Sequence, residues 1–150
     1  MADEPLYTDV LVPTDGSEAA SVAVDHALTV AAAHGATIHG LFVIDSRITM
    51  AADQDMRDQL TERLHDTGQD AVEEIVDRAT KLGLEASGAV ERGTPWKVIR
   101  SHAEDQGIDL IVIGTTGKTP REKRMRMGSV SERVVDDAQI PVLVVPNLPT

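Results

Sequence analysis

Asp109-Leu110-Ile111-Val112-Ile113-Gly114 sets a short, unbroken apolar run between an acid and a glycine. Such a run is too short for a helix, which needs about ten residues, and it lacks the alternation of a strand with one wet face. It reads as a strand covered on both sides, the kind found in parallel sheets flanked by helices. Downstream, residues 141–146 (Pro141-Val142-Leu143-Val144-Val145-Pro146) repeat the pattern. Upstream, residues 37–44 carry Ile38, Leu41, Phe42, Val43 and Ile44, with Asp45 closing the run. Residues 7–12 hold Val10, Leu11 and Val12 and stop at Pro13. Residues 84–91 are the least strand-like of the five, because they contain Gly88 and only Val90 is β-branched.

Helical spacing fills the intervals. Ala20, Val24, Ala27, Leu28 and Ala31 follow the turn Thr14-Asp15-Gly16-Ser17, and His34-Gly35 supplies a stop. A polar stretch runs from Asp45 to about Gln59. Beyond it Leu60, Leu64, Ala71, Ile75 and Leu82 mark the apolar face of a long helix whose other face holds Glu62, Arg63, Asp70, Glu73, Glu74 and Asp77. Thr94-Pro95 opens a further helix with an N-cap threonine and a first-turn proline, and the last helix is expected over Ser129–Asp137. Five strands alternating with four helices imply right-handed crossovers and one α/β domain over residues 1–150: a doubly wound five-stranded parallel sheet, Rossmann-like, with helices on both faces. In such sheets ligands bind beyond the carboxyl ends of the strands, where the strand order reverses.

Composition narrows the function. The 150 residues carry 25 acids against 14 Lys and Arg, a net charge of −11, so DNA, RNA and anionic lipid are poor partners. Only Tyr7, Phe42 and Trp96 are aromatic, too few for stacking platforms on single-stranded nucleic acid. Without cysteine there is no disulfide framework, thiolate metal site or cysteine nucleophile. The chain shows neither a signal peptide nor an apolar stretch long enough to span a membrane, so a cytoplasmic protein is expected. Its 15 Asp and 10 Arg, against 10 Glu and 4 Lys, form a balance associated with proteins kept hydrated in concentrated salt.

Three strand ends carry unusual residues: Pro13-Thr14-Asp15-Gly16-Ser17, Val43-Ile44-Asp45, and Gly114-Thr115-Thr116-Gly117-Lys118-Thr119 running on to Gly128-Ser129. Gly114 and Gly117 would let backbone approach a ligand, and a helix beginning at Gly128-Ser129 offers free N–H groups to an anion. Ser129-Val130-Ser131-Glu132 equally fits a capping box, so Ser129 could serve the helix alone; Asp15 could likewise be no more than a turn residue. Charge favours the anion reading. Residues 118–126 hold Lys118, Arg121, Lys123, Arg124 and Arg126 against Glu122, a local +4 that leaves −15 elsewhere.

Gly117-Lys118-Thr119 is not a P-loop, because the glycine required five positions earlier is Val112. The G-x-G-x-x-G of dinucleotide sites is also absent. His26, His34, His39, His65 and His102 show no metal-ligand spacing and are assigned to helix surfaces or strand ends, and no Ser-His-acid set can be argued from spacing.

Val10 to Ser17, Phe42 to Asp45, Gly93-Thr94-Pro95, Asp109 to Gly117, and Gly128 to Ser131 followed by Pro141 to Val145 together resemble the universal stress protein family. The chain is most similar to the family's nucleotide-binding branch, with G-x-x-G intact at Gly114 and Gly117 and G-[ST] at Gly128 and Ser129. Ten residues separate Gly117 from Gly128, one more than in the family motif; a single insertion in an exposed loop is thermodynamically cheap. The resemblance implies an ATP- or AMP-binding stress-response or regulatory module, with Mg or Mn carried in on the phosphates. It implies that Pro13, Thr14 and Asp15 lie at the ribose and adenine end and that Val43 meets the adenine. Gly114, Gly117, Gly128, Ser129, Val130 and Ser131 would hold ribose and phosphates. No candidate general base is placed well enough for efficient hydrolysis to be expected; the alternative is a slow ATPase or a related adenine-nucleotide hydrolase. The resemblance also implies a homodimer through Val142 to Val145, since pairing would cover an apolar edge strand. Met50, Met56, Met125 and Met127 fall in expected loops near either feature.

Overall fold

The computed structural model describes residues 5–115 and 129–146. Its strands are β1 (Asp9–Thr14), β2 (Thr37–Asp45), β3 (Ala86–Gly93), β4 (Leu110–Gly114) and β5 (Val142–Val145). They form one parallel sheet in the order β3-β2-β1-β4-β5. The order reverses between β1 and β4, as a doubly wound sheet requires.

Helices α1 (Glu18–His34) and α3 (Gln54–Lys81) cover one face, where Val24, Ala27, Leu28, Ile75 and Ala79 meet Val10, Val12, Ile38 and Val112. Helices α4 (Pro95–Asp105) and α5 (Ser129–Asp137) cover the other, where Ile99, Ala103 and Val134 meet Leu11, Leu41, Ile111 and Ile113. Strand residues two apart share a face, so odd-numbered positions of β1, β2 and β4 look toward α4 and α5 and even-numbered ones toward α1 and α3. Each fully buried aliphatic side chain in these layers contributes roughly 1.5–3 kcal/mol of transfer free energy.

Several boundaries differ from the sequence expectation for physical reasons. A short helix, α2 (Ser46–Ala51), occupies part of the expected polar stretch, started by Asp45, whose Oδ1 accepts from the Arg47 amide at 3.0 Å. The described residues thus hold five helices rather than four. Helix α3 begins at Gln54, earlier than its first periodic apolar residue, because its opening turns are exposed and carry no apolar signal. Its buried line is Gly68-Val72-Ile75-Ala79; Leu82 lies past the last turn and is 55% exposed, so it is not part of that face. Met50 and Met56 are exposed on α2 and α3, not in loops, while Met125 and Met127 fall outside the described residues. Thr94 stands at the N-cap of α4 as expected, but its side chain makes no capping hydrogen bond.

Pro13 lies inside β1 rather than ending it. The Thr37 amide donates to the Thr8 carbonyl at 2.9 Å. Ladder alternation then directs the amides of residues 10, 12 and 14 toward β2 and places the N–H that Pro13 lacks on the β4 side. There the register ends at Leu11–Ile111, whereas β1 stays paired with β2 through Thr14–Phe42. The two central strands therefore part at their carboxyl ends.

At their amino ends Asp109 ties them together. Its Oδ2 accepts from the Thr8 amide at 2.9 Å and hydroxyl at 2.8 Å, and its Oδ1 from the Asp9 amide at 3.2 Å. Partial burial works to raise the Asp109 pKa, but the Thr8 amide and hydroxyl and the Asp9 amide outweigh it and hold the carboxyl below its usual value. A carboxyl lowered on folding stabilises above its unfolded pKa of about 3.9, and loses that contribution as pH falls from there through the folded value. Asp109→Asn should therefore cost about 1–2 kcal/mol at pH 7, the order of a charged hydrogen bond. Urea unfolding should show the gap from wild type closing below about pH 4.

Candidate functional site

The parting of β1 and β4 marks a candidate crevice at the point of strand reversal, and those expected site residues that the structure describes can be placed against it. Pro13 is buried and, by strand alternation, shares the α4 and α5 face with Val43, which packs half-buried against the same cluster as Val130 of α5. All three thus lie on the side of the sheet that α4 and α5 cover. Ser129 is the first residue of α5 rather than a residue preceding it, and it is exposed; Ser131 is 1% exposed. Because α4 and α5 each follow a strand of a parallel sheet, both helices begin at the carboxyl end, with their positive dipole ends toward the crevice.

Two residues turn the other way. Thr14 faces α1 and α3, where its Oγ1 accepts from the Gly16 amide at 3.0 Å. Gly114 is glycine for a packing reason: a Cβ there would stand 2.8 Å from the Ala19 carbonyl oxygen of α1. Asp15 is exposed between them, and its Oδ1 accepts from the Ser17 amide at 2.9 Å. That contact forms a local turn, yet a carboxylate has about four acceptor positions and keeps capacity for a ligand. Ser17 in turn caps α1 through the Ala20 amide at 3.2 Å, and Gly16 supplies a φ of 81°. Gly117, Gly128 and the basic residues from Lys118 to Arg126 lie outside the described residues.

A cavity of about 220 Å³ beside Thr14, Gly16 and Ser17 opens on the α1 and α3 side, lined also by Asp70 and Glu74. Arg78 lines it too but is paired with Asp25, so the two carboxylates disfavour phosphate there. On the opposite face of the sheet, Trp96 and Arg100 line a separate groove between α4 and α5, where Arg100 also meets Asp137 at 3.5 Å. Arg133 of α5 lies over the Trp96 ring at 4.4 Å, with Lys97 and Arg100 each 5.6 Å from its centre. Sequence reading missed this cationic group, because the three charges come from two helices and no spacing links them.

His39 also departs from expectation. It lies in β2, 7% exposed, with Nε2 2.9 Å from Asp9 Oδ1 and Nδ1 3.4 Å from Ser87 Oγ. The fold thus assembles a Ser-His-Asp row that could not be argued from sequence spacing.

Residues 6–146 match the profile of the Universal stress protein family. Universal stress protein MJ0531 of Methanocaldococcus jannaschii is 36% identical over 143 residues, which span 95% of this chain and 84% of that protein. The solved structure of MJ0577 from the same organism has a TM-score of 0.84 at 30% identity and covers 97% of this chain and 99% of its own. A universal stress protein solved in complex with cAMP has a TM-score of 0.66 at 26% identity, covering 93% of this chain and 97% of its own.

Proposed function

Because the chain belongs to the universal stress protein family, we propose that it is an adenine-nucleotide-binding regulatory module that takes ATP or AMP in the crevice between β1 and β4. The observation that carries this reading is the parting of those strands beyond Leu11, next to the start of α5. A relative in complex with cAMP supports the adenine class. Pro13, Val43 and Val130 would bed the base against aliphatic surface, and Asp15 would accept from ribose hydroxyls. Gly117, Gly128, Ser129 and the first amides of α5 would take the phosphates; one helix terminus contributes only about 0.3–1 kcal/mol, so the basic segment is needed beside it. Thr14 and Gly114 shape the crevice through the β1–α1 turn, and Val130 and Ser131 seat α5 in the core. Mg or Mn would arrive with the phosphates, since such ions favour phosphate oxygens and water.

The same reading includes a homodimer through β5. Among the described residues this strand ends the sheet, Leu143 is 37% exposed, and Val142 and Val144 are half-buried.

Calorimetry of ATP and AMP against the purified protein tests the nucleotide reading. Binding is expected in the wild type, and Gly117→Val and Gly128→Val should weaken it at least tenfold, about 1.4 kcal/mol. Weak, unchanged heats in all three proteins would overturn it.

A further inference from the structure

We propose that Ser87, His39 and Asp9 form a second site, at the amino end of the sheet, that transfers the acyl group of small esters. Its residues come from β3, β2 and β1, and register brings them together: His39 stands opposite Ser87 on one side and next to β1 on the other. A carboxylate only accepts hydrogen bonds, so Asp9 fixes the ring proton on Nε2. In the neutral ring Nδ1 is then the acceptor, and it faces the Ser87 hydroxyl at 3.4 Å. Contacts of this kind are often long without substrate and shorten when it binds. Ser87 is exposed, so an ester can reach it, while His39 is shielded from water. The Thr8 hydroxyl, 3.0 Å from Asp9 Oδ2 and 2.8 Å from Asp109 Oδ2, has one proton to donate to either carboxylate at the far end of the row.

An acyl-transfer site also needs a donor for the oxyanion. The Ile38 amide donates to the Glu85 carbonyl at 2.9 Å. In a parallel ladder this directs the Ser87 amide inward to β2 and turns the amides of Ala86 and Gly88 to the outer side of the strand. Among the described residues β3 is an edge strand. The Gly88 N–H, immediately after the nucleophile, thus points to the open side of the strand, where it can donate to a substrate carbonyl oxygen.

The chemistry follows. The Ser87 oxygen bonds to the acyl carbon while its proton passes to His39 Nδ1. The bond to the leaving alcohol breaks, and that proton goes to the alcohol oxygen. Water then attacks the acyl-serine, giving a proton to Nδ1; the bond from the acyl carbon to the Ser87 oxygen breaks, Nδ1 returns the proton to that oxygen, and the free acid leaves. Asp9 holds the imidazole through Nε2 and is a positioning residue. An open strand edge offers no deep pocket, so small acyl groups with good leaving alcohols are the substrate class.

p-Nitrophenyl acetate added to the full chain should give a burst of p-nitrophenolate near one per chain, with one acetyl group mapped to Ser87 by mass spectrometry. Ser87→Ala should remove both without changing the circular dichroism spectrum, since the residue is exposed. His39→Gln should slow acylation about 10²-fold, the usual share of a general base. Asp9→Asn should slow it too, with partial recovery in Asp9→Glu. Acetylation confined to lysines or the terminal amine, no acetylation at all, or a burst that survives Ser87→Ala would overturn the proposal and leave the row as a strut between strands. If His39→Gln fails to fold, Ser87→Ala against wild type still decides.

Discussion

Phe42→Ala should lower stability by about 3–5 kcal/mol, the range for truncating a buried phenylalanine, and the melting temperature by on the order of 10 °C for a domain of this size. Phe42 is 5% exposed on β2 and faces α3, between Ile44 and Val72. It fills space that α3 leaves by carrying glycine at position 68: a Cβ there would stand 2.5 Å from the ring. Truncation opens a cavity against helix backbone, which cannot collapse without moving a helix also pinned at Gly88, where a Cβ would lie 2.9 Å from Val72. Gly68→Leu alone overpacks the same space and should cost about 1–3 kcal/mol despite leucine's better helix propensity. Combined, the two changes exchange the ring for a helix side chain, and the double variant should recover about 1–2 kcal/mol relative to Phe42→Ala. Urea midpoints at constant slope measure each corner of the cycle. Additive losses would mean that ring and glycine do not share one volume.

This interlock marks where sequence reading stops. The strands were legible because their apolar runs are short and bounded, and the doubly wound architecture followed from their alternation with helices. Gly68 gives no such signal: mid-helix it reads only as a poor helix former, and its partner Phe42 lies on another element. The opening turns of α3 were invisible for the opposite reason, since nothing apolar in Gln54–Gln59 faces a core. At the site, the β1–α1 turn and the α5 start were readable from Asp15-Gly16-Ser17 and Ser129 to Ser131. Strand alternation separates Thr14 and Gly114 from Pro13 and Val43. The Arg133–Trp96 contact and the Ser87–His39–Asp9 row depend on register between distant segments, which no local pattern encodes.

Gly114→Val is the harsher test of how fold and crevice are joined. The new Cβ would stand 2.8 Å from the Ala19 carbonyl oxygen and 3.3 Å from its carbon, both backbone atoms that no rotamer change can move. Either β4 or the first turn of α1 must shift, at a cost of about 3 kcal/mol or more, and Gly114→Ala should lose a smaller part of that. The first turn of α1 is held to β1 by the Ser17 cap, the Asp15 turn and Gly16 in its left-handed conformation. Displacing it therefore moves Asp15 and Thr14 together, and nucleotide affinity should fall along with thermal stability. Gly117→Val, in contrast, should reduce affinity with little change in melting temperature if that glycine serves the ligand alone. Thermal melts and calorimetry on both variants, run well below their transitions, separate the two roles. A Gly114→Ala protein that melts like wild type but no longer binds ATP would show that Gly114 serves the ligand directly and that its closeness to Ala19 can be relaxed at little cost.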